Sequence, residues 1–177
     1  MKQFLFIAVL ALALAQVSQP VAAQRQEIRE KLLNNEKLTK KEKAEIVQQL
    51  INERIEAKLF EIDVNRITTF NQQFHGLDAG YGLGVNGDEL TVCLPASVGS
   101  VSGAYGNNEQ LKFTARITSY KVTSNKKKTV HTVEIEAEDS AGKYSLTIIA
   151  YKTSRCDVMM KAQGQRSSSF EGVIRLL

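Results

Sequence analysis

The chain has 177 residues, 23 Lys and Arg against 19 Asp and Glu, two Cys and no Trp. Its formal charge of +4 is too mild to mark a nucleic-acid binder, which needs a clustered basic face. The length suits one domain with a single core, and internal repeats and low-complexity tracts are absent from the sequence, which excludes a solenoid or fibrous chain.

Residues 1–23 have the layout of a cleaved secretory signal. Lys2 gives a positive start, Phe4 to Ala15 form an almost unbroken apolar run, Pro20 breaks it, and Val21-Ala22-Ala23 brings small residues to the cleavage point. The run falls short of the roughly 20 apolar residues that span a bilayer. Cleavage is expected between Ala23 and Gln24, and no Cys stands there to carry a lipid. The mature chain is expected to be periplasmic or secreted, without stable membrane insertion. Losing Lys2 leaves it a formal charge of +3.

Residues 24–57 read as a helical arm. No Pro or Gly occurs between Gln24 and Phe74, and Glu, Lys, Gln, Leu and Ala dominate. Asn34 and Asn35 interrupt the pattern, and Thr39 with Glu42 then forms a capping box for a new helix start. Val47, Leu50, Ile51, Ile55 and Leu59 recur at helical spacing and predict one apolar stripe. The stripe either covers one end or side of the following domain or binds a partner.

Residues 58–177 alternate like strands. Phe60, Ile62 and Val64 start the series. Tyr81, Leu83 and Val85 then run through Asn86-Gly87-Asp88 into Leu90, Val92 and Leu94, a strong hairpin signal. Pro95 to Gln110 is rich in Gly and Ser and reads as a long loop. Leu111, Phe113, Ala115 and Ile117 are expected to pair with Val133, Ile135 and Ala137, setting Lys112, Thr114 and Arg116 opposite Glu134, Glu136 and Glu138. Tyr120 and Val122 fall out of phase with Ile117, which predicts a bulge near Thr118-Ser119. Further strands are expected over 143–151, 156–163 and 168–177. The fold class is therefore mainly β: a single antiparallel barrel or sandwich of about eight strands behind a helical arm.

The motifs of catalysis and metal binding are weak. Gly82-Leu83-Gly84-Val85-Asn86-Gly87 fits G-x-G-x-x-G in form, but a strand follows it where the phosphate-binding mechanism needs a helix. His75 and His131 lack companions at metal-ligand spacing and read as surface or loop residues. The serines, at Ser97, Ser100, Ser102 and 167–169 among others, sit in no nucleophile elbow. No catalytic residue, metal site or cofactor is expected. Alternation places Cys93 on one face of its strand, opposite Leu90, Val92 and Leu94, while Cys156 is in step with Val158 and Met160. An exporting compartment favours a Cys93–Cys156 disulfide and this alternation opposes it. Asn125-Lys126-Lys127-Lys128 forms a basic tip, either solvated or a docking point for an anion.

Several ordered segments resemble one known family. They are Leu111-Lys112-Phe113-Thr114-Ala115-Arg116-Ile117-Thr118-Ser119-Tyr120-Lys121-Val122, the Asn125 to Lys128 tip, the closing run Ser167 to Ile174, and the hairpin from Tyr81 to Leu94-Pro95. Together they resemble the DUF4251 domain of exported Bacteroidetes proteins, whose function is uncharacterised, over roughly residues 58–177. The resemblance implies a small lipocalin-like barrel behind an N-terminal helix, exported to the periplasm of a Gram-negative bacterium. Many relatives carry an Arg in the loop after Leu-Pro, where this chain keeps Ala104-Tyr105-Gly106 and lacks the Arg.

These features lead to the expectation of a non-enzymatic binding module for a small apolar or amphipathic ligand. Tyr81, Tyr105, Tyr120 and Tyr151 are the candidate ligand contacts at a barrel mouth. The alternative is an envelope interaction, structural or inhibitory protein acting through the helical arm or a strand edge. Nucleic acid is not an expected partner, and a monomer or weak dimer is the expected state.

Overall fold

The computed structural model describes residue 30 and residues 39–68, 73–95 and 110–176. The signal-like segment with Ala23 and Gln24, most of the arm before residue 39, and Tyr105 lie outside the described residues. Contacts divide the chain into residues 1–43 and residues 44–177.

In the first unit the capping box forms as its spacing predicts. The Glu42 amide donates to Thr39 Oγ1 at 3.2 Å, and Glu42 Oε2 accepts from the Thr39 amide at 2.8 Å. This box opens α1 (Lys40–Glu56). The helix ends as Lys58 turns left-handed, at φ 52°.

In the second unit, nine strands follow: β1 (Leu59–Thr68), β2 (Phe74–Gly76), β3 (Gly82–Asn86), β4 (Glu89–Pro95), β5 (Gln110–Ser124), β6 (Val130–Glu138), β7 (Lys143–Tyr151), β8 (Arg155–Ala162) and β9 (Ser168–Ile174). Strands β3 to β9 pair in sequence order, all antiparallel, and β1 joins β3 to β9. Closure decides for the barrel over the sandwich, because no edge remains in the eight-stranded ring. β2 is an added short strand at a position the sequence suggested only as loop. It pairs with Arg66 to Thr68 of β1, on the side where β3 pairs with Leu59 to Asp63. Val64 accepts no new strand there; its amide donates to the Tyr81 carbonyl, and the Leu77 amide donates to the Asn65 carbonyl. β2 and β3 thus act as one interrupted strand from which residues 78–80 loop out.

Among the described residues, the middle of the interior is packed with side chains. Alternate residues point inward, and Leu90, Val133, Ile135, Ile148 and Met160 have 0% of their surface exposed. A water-sized cavity beside them would give these side chains accessible surface. Phe60 and Phe170 complete the middle, and Phe113 stacks on Tyr144 with ring centroids 4.1 Å apart. Ile46, Ile51 and Ile55 are the buried residues of α1, and from Ala44 onward the helix packs with the strands as part of one unit. Leu59, expected in the helical stripe, instead opens β1 and is 52% exposed.

The bulge expected near Thr118-Ser119 is present as a register shift between Ile117 and Ser119. The register around it differs from expectation. β5 is long enough to serve two neighbours, so Lys112 and Thr114 face Cys93 and Thr91 of β4, and only Arg116 lies opposite Glu138. Past the bulge, Lys121 takes the place facing Glu134, at 3.4 Å.

The glycines of the G-x-G-x-x-G run serve the hairpin. Gly87 makes the turn at φ 61°. A Cβ on Gly82 would stand 2.5 Å from the Ile62 carbonyl oxygen, so β3 can approach β1 only through a glycine there. At Gly84 the nearest neighbour of such a Cβ is Glu61 Cγ at 3.8 Å, an ordinary contact. Gly82→Ala is therefore expected to destabilise by roughly 1–3 kcal/mol, and Gly84→Ala to stay within about 0.5 kcal/mol. Urea midpoints of the purified variants measure both, and equal midpoints would contradict the close approach.

Candidate functional site

Side chains are missing over the middle of β3, and the outer wall is concave there. Gly82 and Gly84 occupy its outward positions, while Leu83 and Val85 point into the core. On either side stand the outward residues of β1 (Leu59, Glu61, Asp63) and of β4 (Glu89, Thr91, Cys93). The looped residues 78–80, Tyr81 and Arg175 form the rim of a groove of about 1130 Å³. Arg175 bridges two carboxylates across the β1–β9 seam: its Nη1 bonds Glu61, and its Nε donates to Asp63 Oδ2 at 3.2 Å. Arg54 reaches in from α1 and donates to the Leu176 carbonyl at 2.8 Å. With Asp78 and Glu89, the lining carries four carboxylates against two guanidinium groups. The groove is thus acidic on a chain of net positive charge.

The end of the barrel crossed by α1 holds a second polar constellation. His131, read from the sequence as a surface or loop residue, is 3% exposed. It shares inward parity with Val133 and Ile135, and that parity was the available signal. Its Nε2 lies 2.6 Å from Asn52 Oδ1 on α1, and its Nδ1 lies 2.7 Å from Ser124 Oγ on β5. Ser, His and Asn in that order are chemically a nucleophile, a base and an orienter. Burial, however, lowers the His131 pKa below its ordinary 6.5, which weakens the base. Further along β5, Tyr120 donates its hydroxyl to the Ile55 carbonyl at 2.8 Å, and burial raises its pKa. Gln48 donates to the Lys127 and Lys128 carbonyls of the basic tip.

The tyrosines expected at one mouth stand in different surroundings. Tyr81 lines the outer groove and packs partly against the core. Tyr120 is bonded to the helix, and Tyr151 lies on the outer face of β7 with its hydroxyl donating to Asp157 Oδ2 at 2.8 Å. Sequence reasoning did not reach Arg175 or the groove carboxylates, because charged residues at outward strand positions look like ordinary solvated surface, nor Asn52 and Ser124, which only the fold brings to His131.

Fold and wall together define a small closed antiparallel β-barrel with α1 packed against it. The chain belongs to the DUF4251 family, a domain of unknown function whose model matches residues 39–174. A solved structure similar to it is that of a DUF4251 family protein from Bacteroides eggerthii DSM 20697, at 1.95 Å. The two are 12% identical with a TM-score of 0.59, over 73% of this chain and 87% of that one. At that identity the likeness shows the fold. No curated protein matches the chain.

Cys93 and Cys156 are not bonded to each other. Cys156 is buried inside the barrel, and Cys93 is half-buried on the outer wall with its sulfur 3.4 Å from the Gly80 carbonyl. Burial pushes the Cys156 thiol up to about 12, so it stays protonated and inert at neutral pH. A thiol titration at pH 8 is expected to count one reactive group per folded chain and two after denaturation. A count of zero before reduction would establish a disulfide instead.

Proposed function

We propose that this protein is an exported, non-enzymatic binding module that holds a small amphipathic ligand on the outside of its barrel, in the groove over β3. The observation that carries the reading is the contrast between wall and interior. The described inward side chains are packed and buried, whereas two glycines open a concavity of about 1130 Å³ on the outer wall. The groove sets apolar surface from Leu59, Leu77 and Tyr81 beside carboxylates, a mixture suited to a ligand with an apolar body and a polar head. Its surplus of carboxylates favours a cationic or hydrogen-bond-donating head over an anionic one. The signal-like N-terminus supports export. The alternative in which the apolar stripe of α1 binds a partner is less favoured, since Ile46, Ile51 and Ile55 are already buried.

Thermal-shift measurements with dodecylamine, dodecanoate and a bile acid test the reading, on the natural chain and on Gly84→Leu, whose side chain would intrude on the groove floor. The amine is expected to raise the melting temperature by on the order of 3 °C at tenfold excess over Kd, and more than dodecanoate does. The Leu variant is expected to lose the shift. A shift that persists in Gly84→Leu would place the ligand elsewhere, and no shift with any probe would sink ligand carriage.

A further inference from the structure

Among the described residues, His131 is the one buried histidine. Its position ties two elements together. Asn52 Oδ1 is a carbonyl oxygen and accepts from Nε2–H, so Nδ1 is left to accept from the Ser124 hydroxyl. Both ring nitrogens are satisfied in the neutral form, and the ring becomes the link from the last turns of α1, through β6, to the end of β5.

A proton on this ring has poor company. From α1 it faces the neutral Asn52 and the Glu56 carboxylate, which favours charge. From β5 it faces the neutral Ser124 hydroxyl. The β5–β6 turn brings the Lys128 ammonium, which disfavours charge, and the Lys128 backbone, which favours it. β7 places the apolar Ala150 opposite. Glu56 is itself paired with Lys128 at 3.2 Å and is mostly exposed, so its help is divided and screened. Desolvation outweighs these neighbours, and the neutral ring is the stable one.

We propose that His131 is an acid-operated release for α1: protonating the ring puts a charge into the buried seam between helix and barrel end and loosens the helix there. Besides the exposed Glu56–Lys128 ion pair, three polar ties to backbone carbonyls hold the helix. They are Tyr120 to the Ile55 carbonyl, Gln48 to the Lys127 and Lys128 carbonyls, and Arg54 to the Leu176 carbonyl. The sign follows from the His131 pKa, which is lower in the packed state than the ordinary 6.5. Docking is complete above about pH 6.5 and weakens as pH falls below it, because the released form then binds the proton more tightly. The side chains of Ile51 and Ile55, and the barrel end beneath them, are what release uncovers.

Hydrogen exchange read by mass spectrometry at pH 7.5 and 5.5, corrected for intrinsic rates, tests the proposal. Protection of residues 44–56 is expected to fall by up to about tenfold in acid, relative to β6 and β7. His131→Gln, which keeps a neutral polar side chain, is expected to remove this pH dependence. Asn52→Asp sets a carboxylate on the ring and is expected to diminish or reverse it, a change of sign that a purely structural contact would not give. A proton NMR titration of the natural protein covers the case in which a variant fails to fold. A His131 pKa at or above 6.5, equal helix protection at both pH values, or the same fall in His131→Gln would each overturn the proposal.

Discussion

Pairing of β1 with β9 is the contact on which the rest of the molecule depends. It joins the first and last strands of the domain, from Ile62 opposite Ile174 to Thr68 opposite Ser169. The outer clasp between Arg175 and Asp63 spans 112 residues of sequence. Both partners of that clasp are about half exposed, and surface ion pairs contribute roughly 0–1 kcal/mol. Inward-facing Ile62, Val64, Phe170 and Ile174 are 1–3% exposed, and burying each such side chain contributes about 1.5–3 kcal/mol. Closure is therefore held by the ladder and the apolar interior, and Arg175 mainly shapes the surface above the seam. Because the pairing is so non-local, its loop-closure entropy must be offset late, after the local hairpins have formed.

Closure also dictates where a ligand can go. An eight-stranded barrel is just wide enough for side chains to fill, and here they do. Any concavity must then come from the wall. The wall supplies one by a local economy of side chains: β3 must approach β1 at Gly82, so one outward position is bare by necessity, and Gly84 leaves the next bare as well. Interruption of the β2–β3 line at residues 78–80 raises a rim beside that bare strip. The groove is thus a by-product of how β1 is shared among β2, β3 and β9.

Much of this fold was legible in the sequence, and the reasons are specific. The Thr39–Glu42 box and the Asn86-Gly87-Asp88 turn are local devices whose residues act on their own backbone, so they can be read without knowing the neighbours. Parity gave the inward set and, through the phase break at Tyr120, the β5 bulge. What escaped was relational. Strand length alone could not reveal that β5 changes partners along its course, so the charges on Lys112 and Thr114's row were matched to the wrong neighbour. β2 is too short, at Phe74–Gly76, to show any period. The groove is made of what is absent over β3, and an absent side chain reads in sequence as turn propensity.

Among the described residues, the inward polar side chain that breaks the apolar pattern is His131. Apolar packing of Ile51 and Ile55 draws the helix onto the barrel end but is non-directional, and a smooth stripe could settle in more than one position. Directional bonds remove that freedom. Gln48, Asn52, Arg54 and Ile55 each bond a different strand or turn, spread over two turns of α1. A polar group placed in such a seam costs stability if left unpaired, so the helix has one position in which all four are satisfied. His131 adds what the others lack, a partner whose own charge state depends on its surroundings. The group that fixes the helix in place is thereby also the group through which the solvent's proton concentration can act on it.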